Sequence, residues 1–336
     1  MRTLPAGLPE QDLVTALSRS WRLAAGRLRY VPEGGGSYHW AAEADGARYF
    51  LTVDDLRSKP WLGAGPDAAF DGLRAAFGTA LALSSQARLP FVVPPVPTVD
   101  GATAVRVTAR YSLAVFPFVD GDPQHWGDEF TPGDAGQVAG LLAELHRSTV
   151  TAPHASRDAL RLAERPVLDA ALAELGRPWA GGPFAEPVRR ELAANAGRVA
   201  GWLSSFDELA AQVAARSAGD VITHGEPHPG NLIRVAGQFR LIDWDTVALA
   251  PPERDLWMLD GAAGAFDHYR AATGRAVDGA AVSCYRLEWA LKDLAAFTGL
   301  LRGRHQRDKD TEKAWWAFLA TLHPGIAPGP YRHLTA

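Results

Sequence analysis

Two short polar segments in the second half of the chain have residue types and spacing suited to chemistry. They read Thr223-His224-Gly225-Glu226-Pro227-His228-Pro229-Gly230-Asn231 and, soon after, Leu241-Ile242-Asp243-Trp244-Asp245. In kinase catalytic loops an acidic residue stands five positions before a metal-binding Asn, and a second metal-binding Asp lies downstream. Glu226 and Asn231 have this spacing, and Asp243 follows them. The pattern indicates a phosphoryl-transfer centre.

The residues between Asn231 and Asp243 predict a β-hairpin, with strands at 232–235 and 239–242 and a Gly-containing turn at 236–238. Because the two strands of a hairpin are antiparallel, its first and last residues lie at the same open end. Mg²⁺ accepts carboxylate and amide oxygens and takes further ligands from water and nucleotide phosphates. We therefore predict that Asn231 and Asp243 bind Mg²⁺.

A purely structural interpretation of these segments stays open, in which the hairpin's polar ends only cap neighbouring elements. For His224 and His228 we favour a scaffolding role, because a His flanked by Pro and Gly more often holds a loop than transfers protons. A zinc site at these two histidines is disfavoured, since their i,i+4 spacing needs a helix to share a face. Pro227, Pro229 and Gly230 argue against a helix there.

The two segments resemble those of the aminoglycoside phosphotransferase family, which comprises kinase-fold phosphotransferases of small molecules. Its loop reads His-Gly-Asp-x-His-x-x-Asn before an Ile-Asp-Trp or Ile-Asp-Phe strand, and Asp255-Leu256 resembles the pair that opens its next helix. The resemblance implies ATP and Mg²⁺ as cofactors and a hydroxyl of a small molecule as acceptor. It implies that Glu226 accepts the hydroxyl proton and that Asp255 is structural. Three roles stay open for Asp245: it binds a second metal, contacts the acceptor, or caps the following loop.

The chain departs from the family pattern at two positions. Glu226 stands where the family has Asp, and Thr52 stands where a strand lysine pairs with the α- and β-phosphates. A threonine hydroxyl cannot supply that positive charge, so Lys59 or Arg57 is expected to replace it, unless both are solvated loop charges. These departures leave an alternative function open, a catalytically silent kinase-fold protein that binds a nucleotide or metabolite for regulation.

Two further segments of the amino-terminal part are expected to bind the nucleotide. Gly34, Gly35, Gly36 and Ser37 lie between two strand-like stretches, where glycines allow backbone N–H groups to approach phosphate oxygens. A Gly-rich hairpin turn without a ligand would look the same. The stretch 116–121, which includes Phe118, resembles the hinge that offers backbone groups to adenine, although a plain strand end is the alternative.

The elements along the chain predict an α+β, bilobal protein-kinase-like fold with a mixed β-sheet N-lobe and a mainly helical C-lobe that contains the catalytic hairpin. We expect a nucleotide-binding lobe at 1–117, a catalytic and acceptor-binding lobe at 118–336, and the active site in the cleft between them. Strands are predicted at 28–31, 38–43, 49–53, 104–108 and 111–116. Helices are predicted near 10–24, 67–86, 138–147 with Asp134 as N-cap, 159–175, 187–215, 285–301 and 312–322.

Composition indicates an ordinary soluble protein. The chain has 336 residues, 47% of them hydrophobic, and a net charge of −4, which gives no basic field for nucleic acid or an anionic membrane. Its single cysteine, Cys284, suits a reducing compartment, and its first residues lack the apolar region of a signal peptide. We expect a cytoplasmic protein without nucleic-acid or membrane partners; the sequence does not determine its oligomeric state.

The acceptor is the least determined property. The family resemblance indicates an aminoglycoside, an aminocyclitol such as spectinomycin, or a related sugar, hence a role in antibiotic resistance, and favours the spectinomycin-type branch. Amino alcohols and a housekeeping metabolite stay open as alternatives. A cationic acceptor needs carboxylates, and Glu253, Asp260 and Asp267 are available. The alternative is that these acidic residues only lie on a solvent-exposed face. The chain has 11 tryptophans, most expected in the core, of which one or two could stack on an acceptor ring.

Overall fold

The computed structural model describes residues 1–150, 156–216 and 219–323. These residues belong to two compact units. The first comprises Met1–His125, Gly136–Arg157 and Val221–Ala250, and the second comprises Trp126–Ala135, Asp158–Asp220 and Pro251–Ala336. The predicted lobe boundary after residue 117 stays a prediction.

Strands concentrate in the first unit and form three sheets. The largest has five strands in the order β1-β2-β3-β5-β4, and its neighbours pair antiparallel. The other two have the orders β10-β9-β6 and β7-β11-β8. The strands are β1 (Leu28–Val31), β2 (Ser37–Ala44), β3 (Ala47–Asp55), β4 (Val105–Arg106), β5 (Tyr111–Pro117), β6 (Asp122–Pro123), β7 (Ser156–Arg157), β8 (Val221–Thr223), β9 (Leu232–Val235), β10 (Gln238–Leu241) and β11 (Ala248–Ala250).

Helices make up most of the regular structure of the second unit. The α+β class predicted from the sequence is therefore confirmed. The helices are α1 (Glu10–Trp21), α2 (Gly65–Ser85), α3 (Pro132–His146), α4 (Arg165–Ala173), α5 (Ala185–Arg216), α6 (Glu253–Leu256), α7 (Ala265–Thr273), α8 (Gly279–Arg302) and α9 (Lys309–Leu322). In the described residues, no helix is long and apolar enough to cross a membrane.

The five-stranded sheet buries one face against α1. Leu13 and Leu17 of α1 pack in one cluster with Leu51 and Val53 of β3. Because side chains of a strand alternate between faces, Thr52 and Asp54 of β3 point to the face opposite this cluster. The core packing thus decides which polar side chains of β3 share a face.

A second hydrophobic core lies within the helical unit. The long helix α5 contributes Leu192 and Phe206, α8 contributes Leu291 and Leu294, and α9 contributes Phe318. Each of these side chains is buried, as expected for helices whose apolar stripes face one another.

The predicted N-cap of α3 is wrong. The helix begins at Pro132, and the hydroxyl of Thr131 accepts a hydrogen bond of 3.2 Å from the N–H of Asp134. Thr131 therefore caps the helix, and Asp134 lies in its first turn, where a carboxylate favours the helix dipole. Proline at the first helical position allows this earlier start, since its missing N–H needs no partner there.

The hairpin turn provides a stability prediction. Ala236 and Gly237 connect β9 to β10 with φ values of 48° and 81°, the left-handed conformation that a two-residue hairpin turn requires. We expect Gly237→Ala to lower the free energy of unfolding by about 1 kcal/mol through backbone strain. Gly197→Ala, inside α5 with open space around it, is expected to raise it by up to about 1 kcal/mol.

Urea denaturation of both glycine variants checks this prediction. Equal effects of the two substitutions would contradict it, because of the two glycines only Gly237 has a positive φ.

Candidate active site

The hairpin brings Asn231 and Asp243 to one end, as predicted. β9 and β10 pair antiparallel, with Leu232 opposite Leu241 at the open end. The N–H of Ile242 then donates to the carbonyl of Asn231 at 3.0 Å, which extends the pairing by one residue. Asp243 is the next residue along the chain, so both predicted metal ligands leave the hairpin together.

Asn231 is oriented by a bond to the catalytic loop. Its side-chain nitrogen donates to the carbonyl of Glu226 at 2.9 Å, and the residue is 6% exposed. Because the nitrogen is used in this way, the side-chain oxygen is the atom left for another partner. An amide oxygen held in place by its own nitrogen suits a hard cation such as Mg²⁺.

His224 holds the catalytic loop against the hairpin. Its Nδ1 accepts from the N–H of Glu226 at 3.1 Å, and its Nε2 lies 2.9 Å from the carbonyl of Ile242. A carbonyl only accepts, so Nε2 carries the proton and the ring is neutral. The scaffolding role predicted for His224 is confirmed. Burial and the neighbouring His224 lower the pKa of His228 to about 3, so His228 is neutral as well.

Asp243 has a backbone conformation that few residues adopt. Its φ and ψ are 66° and 65°, in the left-handed region, where Asp and Asn are more frequent than other non-Gly residues. The residue is exposed to solvent. Desolvation nevertheless raises the pKa of its carboxyl group, and the charge of Asp245 raises it further, against the opposing effect of Lys59. Asp243 is therefore harder to ionise than an isolated aspartate.

Lys59 lies in the centre of this negative charge. Its ammonium group, 2% exposed, forms an ion pair with Asp54 at 2.8 Å and donates hydrogen bonds to the hydroxyl of Ser37 at 3.1 Å and to Asp245. Burial lowers the pKa of Lys59, but Asp245, Asp54 and Asp243 outweigh burial and raise it above its ordinary value. Lys59 is therefore charged, and the carboxyl groups of Asp54, Asp243 and Asp245 share this one ammonium.

The β3 position of the expected lysine carries no positive charge. Thr52 lies opposite His39 on β2, with its hydroxyl 3.5 Å from His39 Nδ1. Burial lowers the pKa of His39 to about 4, so the ring is neutral near pH 7. Of the two predicted substitutes, Lys59 is buried with the carboxylates, whereas Arg57 is exposed.

The Gly-rich segment lies at the β1–β2 connection. Gly34 and Gly36 have φ values of 77° and 81°, and the three glycines are exposed. Ser37 differs from them: it is buried, and its hydroxyl donates to Asp54 at 2.7 Å. Phosphate binding by Gly34, Gly35 and Gly36 stays a prediction, while the Ser37 side chain is used to hold Asp54 and Lys59.

Phe118 follows β5, as the predicted hinge requires. Its N–H donates to the carbonyl of Arg48 at 3.1 Å, and the Arg48 guanidinium lies 4.4 Å from its ring centre. The N–H is thus occupied within the described structure, so a contact with adenine at this residue would use the carbonyl.

Comparison with known proteins identifies the family. Residues 27–283 match the sequence profile described as the phosphotransferase enzyme family, APH, over more than half of the chain. The chain belongs to this family. By that membership it is a phosphotransferase that acts on small molecules, and the predicted enzyme class is confirmed. No curated protein sequence matches the chain significantly.

Solved structures support the same fold for this phosphotransferase. The spectinomycin phosphotransferase APH(9)-Ia, solved with ADP and spectinomycin, is 16% identical with a TM-score of 0.75, and the match covers 97% of each chain. An amicoumacin kinase in complex with AMP-PNP and Ca²⁺ is 13% identical with a TM-score of 0.58, covering 98% of each chain. An aminoglycoside phosphotransferase from Alicyclobacillus acidocaldarius is 19% identical with a TM-score of 0.54, covering 97% of this chain and 98% of that one. The predicted kinase-like fold is confirmed.

The three carboxylates considered for a cationic acceptor all have partners within the helical unit. Glu253 is buried and accepts from the N–H of Asp278 at 2.9 Å. Asp260 pairs with Arg286, and Asp267 pairs with Arg270 one helical turn away at 2.9 Å. Their use as acceptor contacts stays a prediction, and each would have to exchange a present partner.

The tryptophans divide between core and partly open positions. Trp244 is fully buried and donates to Leu241 at 2.9 Å, and Trp257 is 4% exposed, so both are core residues as expected. Trp289 stacks on Trp126 with ring centres 5.9 Å apart, and Trp126 is 46% exposed. Asp255 is fully buried in α6, and its structural role stays a prediction.

Asp54 is the site residue that sequence reasoning missed. It is 0% exposed, and its Oδ1 accepts a hydrogen bond from Ser37 and forms an ion pair with Lys59. The available signal was the pair Asp54-Asp55 at the end of a predicted strand, because Asp is disfavoured in strands and such residues need a specific partner. Asp55 has a different partner, Arg110, which holds it with two hydrogen bonds.

Proposed function

We propose that this phosphotransferase moves the γ-phosphate of ATP to a hydroxyl of a small molecule, with Mg²⁺ as the metal. The observation that supports this most is the cluster of Asp54, Asp243 and Asp245 around a single ammonium, Lys59. Carboxylates brought together without enough positive charge oppose one another's ionisation unless a cation joins them. A divalent ion would supply that positive charge.

Asn231 and Asp243 would hold the metal through an amide oxygen and a carboxylate oxygen. Mg²⁺ prefers such oxygens and commonly takes only one or two carboxylates, with water and phosphates completing its shell. In the described parts of the chain, no group of three His, Cys, Asp or Glu side chains could hold a metal ion alone. When bound, the ion neutralises the charge of the phosphates.

The remaining groups of the chain have the following proposed roles. Glu226 accepts or orients the proton of the attacking hydroxyl. Its backbone is held by hydrogen bonds with His224 and Asn231, which fixes the position from which the carboxylate extends. Lys59 contacts phosphate oxygens, the backbone of Gly34, Gly35 and Gly36 covers them, and the Phe118 carbonyl contacts the base.

For the acceptor we propose an aminoglycoside, an aminocyclitol or a related sugar. Support comes from the family and from the neighbour whose structure contains spectinomycin. If the acceptor is such an antibiotic, phosphorylation of its hydroxyl would make the protein a resistance factor.

Calorimetric titration tests the nucleotide site. We expect Mg-ATP to bind the wild-type protein and EDTA to weaken the binding by about tenfold or more, since Asn231 and Asp243 would hold the ion that offsets the phosphate charge. Asp243→Asn should weaken Mg-ATP binding by a similar factor, whereas Asp267→Asn, an exposed residue of α7, should leave it unchanged. Binding of equal strength with and without metal would contradict the proposal.

A further inference from the structure

The Lys59 ammonium has three partners within the protein, two through hydrogen bonds and one through an ion pair. An ammonium has three donors and no acceptor, and that of Lys59 contacts Asp54, Ser37 and Asp245. Because three oxygens already surround the ammonium, a phosphate oxygen that approaches Lys59 competes with them. The question is which contact is exchanged.

The contacts with Asp54 and Ser37 are the more firmly fixed ones. Ser37 and Asp54 are directly opposite each other on β2 and β3, and the Ser37 hydroxyl donates to Asp54. Asp54 is fully buried, and its Oδ2 has no hydrogen-bond partner. Removing Lys59 would leave Asp54 as a buried charge without a cation, and breaking a buried pair in this way is strongly destabilising.

Asp245 is the partner that can accept another cation. It lies in the short 3₁₀ turn Trp244–Thr246, immediately after the left-handed Asp243, which is the proposed metal ligand. A metal ion bound at Asp243 would lie within two residues of Asp245 along the chain. If Asp245 loses its contact with Lys59, the metal ion can serve as its positive partner. Asp54 has no such replacement for Lys59.

We propose that Lys59 is an internal counter-cation that couples metal binding to nucleotide binding. In the free protein it neutralises Asp245 and thereby weakens binding of a divalent metal alone. When metal and nucleotide arrive together, Lys59 gives up Asp245 and donates to the phosphates, while Asp54 and Ser37 hold it in position. Asp54 is on this view a positioning residue. The inference rests on the proposed nucleotide and metal site.

This coupling predicts opposite changes for metal and nucleotide when Lys59 is made neutral. In Lys59→Met, Mn²⁺ without nucleotide should bind about tenfold more tightly, because an opposing charge is removed from beside the carboxylates. Mg-ADP should bind the same variant about tenfold more weakly, because a charged donor to the phosphates is lost. Lys59→Arg, which keeps the charge, should bind Mn²⁺ alone less tightly than Lys59→Met does.

The experiment measures Mn²⁺ binding by electron paramagnetic resonance and Mg-ADP binding by calorimetry on the whole chain. Lys292→Met is the matched control, since Lys292 is another lysine paired with a carboxylate, Glu288, at 2.9 Å in the helical unit. It should change neither affinity. Lys59→Gln serves as a second neutral variant if Lys59→Met does not fold.

Asp54→Asn tests the positioning role, with Asp55→Asn as its control on the same strand. Asp54→Asn should weaken Mg-ADP binding by about tenfold, because the amide no longer holds the ammonium. Asp55→Asn breaks the pair with Arg110 and should leave Mg-ADP binding within about threefold of the wild type.

The outcomes separate the two proposals. If the wild type binds Mg-ADP but Lys59→Met weakens both ligands or leaves Mn²⁺ binding unchanged, the coupling role is wrong and the proposed function stands. If the wild type does not bind Mg-ADP, the proposed function is wrong and the coupling role with it.

Discussion

Asp243→Asn is expected to reduce phosphate transfer by about a thousandfold or more. The substitution removes the charge of the proposed metal ligand and keeps its shape. A loss of about 4 kcal/mol of transition-state stabilisation, the scale of a metal's electrostatic contribution, corresponds to that factor. Asparagine is preferred to alanine here because Asn tolerates the left-handed backbone conformation at φ 66°, so the loss would not reflect backbone strain.

The measurement is ADP release in the presence of an acceptor found by screening aminoglycosides, aminocyclitols and sugars. Asp169→Asn provides the control, because Asp169 is an exposed aspartate of α4 that pairs with Arg165 one helical turn away. Turnover by Asp243→Asn within about threefold of the wild type would show that Asp243 does not hold the metal.

Glu226→Gln is expected to lower kcat by about 10²-fold to 10⁴-fold, the usual contribution of a general base. The amide keeps the length of the side chain but cannot take a proton. The backbone of Glu226 is held on both sides, its N–H by His224 and its carbonyl by Asn231. Substitution at this residue therefore changes the side chain without moving the loop.

Glu226→Asp is the informative partner of this variant. Aspartate is the family's residue at this position, and it keeps the carboxylate while shortening its reach by one methylene. It should retain measurable turnover, with a loss smaller than that of Glu226→Gln. If Glu226→Gln were as fast as the wild type, Glu226 would not be the base. If the wild type and both variants had no turnover with any acceptor, the protein would be a silent binding protein.

The sequence by itself determined the elements that depend on local patterns. The hairpin at 232–241 follows from two short strands around a Gly-containing turn, and antiparallel pairing then forces Asn231 and Asp243 together. The scaffolding role of His224 followed from its Pro- and Gly-rich surroundings. By contrast, α7 was not predicted, and α6 was indicated only by the family resemblance of Asp255-Leu256, since Glu253–Leu256 spans four residues and is too short to show a helical period.

The tertiary structure decided how the site is charged. The sequence showed that Thr52 lacks a charge and that Lys59 or Arg57 could replace it, but it could not choose between the two. Lys59 meets Asp245 across 186 residues of chain and meets Ser37 across 22. No periodicity or turn signal encodes such contacts, because they arise only when the sheet and the catalytic hairpin fold into one unit and bury their polar ends together. Asp54 became a site residue for the same reason: burial of the β3 end leaves its carboxylate dependent on a single lysine.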